Sequence, residues 1–140
     1  MEKYDGGADI HLDSLYFVIL DESGSLYREK GIPYAKEAIR SFLTGIPSSS
    51  LRIAIEACGL WRGVYKMLTE LGYEVLLVNP VRVHRLYFNK KTDKVDAHTL
   101  ATLLHIGSLP LVYVPDEETL KLRDLARHRA RLVRDRASLM

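Results

Sequence analysis

Four acidic residues carry the chemistry that this sequence can support. They are Asp9 at the opening of the first apolar strand, Glu56 closing a later one, and Asp93 with Asp96 in Lys91-Thr92-Asp93-Lys94-Val95-Asp96-Ala97. Carboxylates at strand ends, joined by an i, i+3 pair on one side of a helix, suit a shared Mg²⁺ or Mn²⁺ site. Mg²⁺ keeps part of its coordination shell for water and substrate, so such a site also binds phosphate oxygens and points to metal-assisted chemistry on phosphodiesters. Each acid has a plainer reading when taken alone. Asp9 fits a surface acid at a strand end, and Asp93 fits an acid favoured by a helix dipole. Glu56, between Ile55 and Ala57, and Asp96, between Val95 and Ala97, fit those readings less well. A carboxylate in an apolar run is costly unless a cation or a donor compensates it.

Basic residues lie close to the acids in sequence. Residues 1–81 hold 8 Lys/Arg against 11 Asp/Glu, a net of −3, whereas residues 82–140 hold 12 against 7, a net of +5. The second half is therefore the better surface for a polyanion. Lys90, Lys91 and Lys94 could hold a backbone phosphate beside the metal, which would make the substrate a nucleic acid. Arg127 and Arg131 belong to a second basic stretch, Arg123 to Arg136, which reads equally as the solvated face of an oligomerising helix.

The elements that must position these residues can be read from periodicity. Ala8 to Asp13 and Leu15 to Leu20 are expected strands, the second apolar enough to be buried on both faces. Leu26 to Ile32 returns as the third strand of an antiparallel meander. Tyr34 to Leu43 reads as a helix, followed by a strand at Leu51 to Glu56, a helix from about Leu60 to Leu71 and a strand at Glu74 to Val78. That strand, helix, strand rhythm implies parallel neighbours, and it can bring the first and fourth strands together at the centre of a mixed sheet. Val81 to Lys91 shows no clear period. Thr92 is a good N-cap for a helix through His105, Pro110 to Pro115 reads as an extended connector, and a last helix opens at Asp116. In that helix Leu122/Leu125, Arg129/Leu132 and Arg136/Leu139 take coiled-coil spacing. The fold class is thus α/β, a mixed sheet flanked by helices with a coiled-coil-like helix at the end.

The remaining features narrow the class. A length of 140 residues, 47% hydrophobic and 27% charged, suits one globular domain. One cysteine excludes an internal disulfide, and neither a leader nor a membrane-length apolar run is evident, so a cytoplasmic protein with no membrane partner is expected. His11 and His84 lack metal-ligand companions, Cys58 lacks a base, and no phosphate-binding glycine loop occurs. Trp61 reads as packed against the sheet, or as an aromatic lining a nucleic-acid groove.

Five segments carry a resemblance: Ala8-Asp9-Ile10-His11, Ile55-Glu56-Ala57-Cys58-Gly59, Val78-Asn79-Pro80, Lys91 to Ala97, and Arg127-His128-Arg129-Ala130-Arg131-Leu132-Val133. In order and spacing they resemble the N-terminal domain of the DEDD transposases of the insertion-sequence one-ten family, which includes the Piv-like DNA invertases. The resemblance implies a RuvC-like form of the ribonuclease H fold, with Asp9, Glu56, Asp93 and Asp96 as a catalytic tetrad binding Mg²⁺. It implies DNA cleavage and exchange in transposition, a structured bridge RNA as guide, DNA as partner, and a nucleoid-associated, prokaryotic setting. It divides the chain into a catalytic domain at 1–115 and the start of a helical linker at 116–140, through which copies would associate. A separate C-terminal domain supplies a serine nucleophile in the family, so neither Ser14 nor Ser23 is expected to act as one. Leu12 replaces a common lysine and Cys58 a common threonine; neither change removes a metal ligand.

Two other functions fit the same residues. One is a stand-alone RuvC-like nuclease cutting Holliday junctions with metal-activated water. The other is a guide-RNA-binding and dimerisation module whose acids are structural and whose binding depends on Lys90, Lys91, Arg127 and Arg131.

Overall fold

The computed structural model describes residues 2–79, 93–109, 111–112 and 117–138, the side chains of 93–96, 117–121, 124 and 134–138 excepted. Apolar runs build a five-stranded mixed sheet from β1 (Tyr4–Ile10), β2 (Ser14–Leu20), β3 (Leu26–Pro33), β4 (Leu51–Glu56) and β5 (Glu74–Val78), in the order β3-β2-β1-β4-β5. The first three strands form the antiparallel meander, while β4 and β5 are added parallel to β1. Strand β1 is therefore central. The carboxyl ends of β1, β4 and β5 all point the same way.

Period-two alternation sorts the strand residues onto two faces. On one face Phe17, Ile19, Ile53 and Ile55 pack with Ile39 and Phe42 of α1 (Lys36–Phe42) and with Val64 and Leu68 of α2 (Trp61–Glu70). On the other face Val18, Leu20, Ala54 and Val78 meet Ala97, Leu100, Ala101, Leu103 and Leu104 of α3 (Asp93–Ile106). Phe17, Val18 and Ile19 are all fully buried, as the unbroken apolar run of β2 requires. The last helix, α4 (Glu117–Ser138), leaves Leu122, Leu125, Leu132 and Val133 exposed.

Strand β1 differs from the sequence expectation. It starts at Tyr4 and ends at Ile10, so Asp9 lies near its carboxyl end and does not open it. The cause is Gly6-Gly7, which falls outside the expected strand because glycine carries no pattern. A Cβ at Gly7 would run into the Ala97 carbonyl oxygen, 2.7 Å from the Ala101 nitrogen and 2.9 Å from the Leu100 Cβ. Only glycine lets α3 settle this close to the central strand.

Both sheet edges are tied down. Arg28 of β3 donates to the carbonyls of Phe42 (2.6 Å) and Thr44 (3.0 Å), which closes the end of α1. Beyond β5, Leu111 bridges Val78 and the Val112 amide donates to the Leu77 carbonyl at 2.8 Å. Those two residues are the described part of the expected 110–115 connector, and they lie extended along the edge.

Candidate functional site

Register places the first two acids side by side. The parallel pairing of β1 and β4 aligns Ala8 with Ile55, so Asp9 and Glu56 are the next residues on neighbouring strands, roughly 5 Å apart as strands are spaced. They also share a face. Gly7 meets α3, so Asp9 two residues on faces the same way, and Ala54 packs under α3, so Glu56 does likewise. Both are buried, Asp9 at 6% and Glu56 at 8% exposure.

Local bonds hold these side chains. The His11 ring Nε2 lies 2.9 Å from Asp9 Oδ2, so this half-exposed histidine is partnered by a carboxylate. After Glu56 the chain is pinned by the Ala57 amide donating to the Val78 carbonyl (2.9 Å) and the Cys58 amide donating to the Glu56 carbonyl (2.8 Å). The end of β4 is thereby locked to the end of β5.

Helix α3 runs antiparallel to β1. Its carboxyl-terminal His105 lies 3.2 Å from Asp5 at the start of the strand, and Ala97, Leu100 and Ala101 sit over Gly7. Two strand residues advance about 6.6 Å and four helical residues about 6 Å. The step from Gly7 to Asp9 thus carries the helix from Ala97 back to position 93. The first turn of α3, positions 93–96, is thereby carried to the end of the strand where Asp9 and Glu56 stand. A second histidine, His98, steadies the helix with a 2.8 Å contact to Glu29 of β3.

Hard oxygen donors from two buried carboxylates on adjacent strands fit a divalent cation of the Mg²⁺ or Mn²⁺ type. Among the described residues no group of three or more His, Cys, Asp or Glu gathers as a metal-binding cluster, and the side chains at 93 and 96 lie outside them. The proposed nucleic-acid contacts divide in the same way. Lys90, Lys91 and the Lys94 side chain lie outside the described residues, while Arg127 and Arg131 are exposed on α4. Arg127 reaches the loop after Glu56, where with Ala57, Cys58, Gly59, Trp61 and Arg62 it lines a cavity of about 390 Å³.

Sequence reasoning missed Gly7, Tyr16 and Arg62. Tyr16 pairs with Asp9 across the β1/β2 ladder and packs beside Val18 and Ala97, but a tyrosine in an apolar run carries no signal of its own. Gly7 could have been found from its match with Ala97 and Ala101, small residues four apart on the facing helix.

A mixed sheet with helices on both faces, carrying paired carboxylates at the carboxyl ends of its central parallel strands, defines an α/β protein with an acidic site. Residues 6–140 match the DEDD family of the insertion-sequence one-ten group, described as transposase, and the chain belongs to that family. It is 40% identical over 72 residues to "Putative transposase y4qE" of Sinorhizobium fredii, an alignment covering 51% of this chain and 18% of that protein. It is 35% identical over 104 residues to "Probable family 20 transposase" of Pseudomonas aeruginosa, covering 72% of this chain and 29% of that one. The chain therefore spans less than a third of the curated relatives it matches. Among the described residues no helix is long and apolar enough to cross a membrane.

Proposed function

We propose that this chain supplies the metal-binding catalytic site of a transposase that cleaves and exchanges DNA strands. The observation that carries the reading is that Asp9 and Glu56 are two buried carboxylates on one face of adjacent parallel strands, the face that α3 covers. Asp9, Glu56, Asp93 and Asp96 would hold Mg²⁺, with Mn²⁺ able to substitute. The bound cation would supply charge stabilisation at the scissile phosphate. The chain's own part is to fix its carboxylates in advance. The sheet register sets the spacing of Asp9 and Glu56, His11 orients the Asp9 carboxylate, and Gly7 lets α3 approach.

In this reading the sheet is a ribonuclease H-like, RuvC-like scaffold. Residues 1–115 form the catalytic unit, and 116–140 begin a linker that pairs with a second copy through Leu122, Leu125, Leu132 and Val133. DNA is the substrate, and a structured bridge RNA guides it. Glu56→Gln or Asp96→Asn in the full-length transposase should abolish recombination while circular dichroism and melting temperature stay close to wild type. Full recombination by either variant would sink the catalytic assignment.

A further inference from the structure

The loop after Glu56 and the start of α2 form a cavity that the acidic site does not use. Its volume is about 390 Å³, and its described lining of Ala57, Cys58, Gly59, Trp61, Arg62 and Arg127 contains two guanidinium groups. A guanidinium presents a planar fork of N–H donors that matches phosphate oxygens. One wall is aromatic: Trp61 is half-buried, held edge-on by Tyr65 at 5.7 Å between ring centroids, with the Arg62 guanidinium 5.9 Å from its own centroid. Space is open at Gly59, where a built Cβ meets no atom within 4 Å. A site with cations, an aromatic wall and room beyond a simple anion matches the chemistry by which single strands are held, phosphate on arginine and base against a ring. A base still paired in a duplex could not enter a space of this size.

We infer that this cavity holds one unpaired nucleotide of a nucleic-acid strand beside Glu56, its phosphate between Arg62 and Arg127 and its base against Trp61. The inference rests on the reading that the chain acts on nucleic acid, and it deepens that reading by naming the form of the strand. Arg127 belongs to α4, so α4 is anchored near the acidic site when a strand is bound. Arg62 and Arg127 are binding residues that position the strand.

Trp61 is the one tryptophan of the 140-residue chain, so its fluorescence reports on the cavity directly. The test is titration of the chain with the single strands dT8 and rU8, and with a duplex of equal length, in EDTA so that no metal takes part. Both single strands, or one of them, should quench Trp61 and bind at least tenfold more tightly than the duplex; the better of the two tells DNA from RNA. Arg62→Gln with Arg127→Gln should weaken that binding at least tenfold and lower the salt slope by about 0.7, the value for one phosphate on a single strand. Gly59→Leu guards against misfolding as the explanation, because its side chain enters open space; it should abolish quenching while melting as wild type does. Absence of quenching, equal affinity for the duplex, or unchanged affinity in either variant would overturn the inference. Loss of recombination by Glu56→Gln in the full-length transposase bears on the proposed function alone, so the two can fail separately.

Discussion

The two ends of β1 hold their acids in different company. Asp5, at the amino end, accepts from Arg52 Nε at 3.1 Å and Nη2 at 2.8 Å, and its other oxygen lies 3.2 Å from His105. Asp9, four residues on and on the same face, has a second carboxylate, Glu56, as its neighbour on β4. At the amino end an arginine and a histidine surround one acid. At the carboxyl end His11 contacts Asp9 at 2.9 Å and a second carboxylate stands beside it, a pairing of like charges that suits a bound cation. The ends are separated by Gly7, where helix and strand touch most closely.

Gly7→Val would damage this comparison most, because it forces α3 off the strand that both ends share. We expect a loss of about 3 kcal/mol, the upper range for overpacking, measured by urea unfolding. A midpoint equal to wild type would mean that α3 does not depend on this contact. Divalent cation comes next: Mn²⁺ at a hundredfold its dissociation constant should stabilise the chain by about 2.7 kcal/mol, read from the melting temperature, and Glu56→Gln should lose that gain. Asp5→Asn should cost about 1 kcal/mol, since Arg52 is half-exposed and screened, yet leave the Mn²⁺ response intact. If Asp5→Asn removed the response, the two ends would not be distinct. The smallest effect sets the floor: Arg40→Ala breaks the exposed 2.8 Å pair with Glu37, far from both ends, and should change stability by no more than about 0.5 kcal/mol.

Much of this architecture was legible where local pattern and tertiary role agree. Strands β4 and β5 fall at the expected Leu51 to Glu56 and Glu74 to Val78, because apolar runs flanked by turn residues have few other solutions. The central placement of the first and fourth strands also follows from the rhythm of elements, and the observed sheet order agrees. The start of β1 was hidden. Tyr4 to Gly7 offers no alternation, and the reason for Gly7 lies across the molecule on α3. That error put Asp9 at the wrong end of its strand, although the adjacency of the first and fourth strands already made Asp9 and Glu56 neighbours. The expected stretch from Val81 to Lys91, including Lys90 and Lys91, lies outside the described residues. The Arg62 and Arg127 cavity was not legible, because it joins a loop to a helix more than sixty positions later.

The central claim is that Asp9, Glu56, Asp93 and Asp96 form one cation site. Anomalous scattering from crystals of the chain grown with Mn²⁺ tests it most directly. We predict a peak with carboxylate oxygens of Asp9, Glu56 and at least one of Asp93 and Asp96 about 2.0 to 2.4 Å away, as hard divalent cations require. Mn²⁺ bound elsewhere, with α3 ordered and its first turn pointing away from Glu56, would contradict the account.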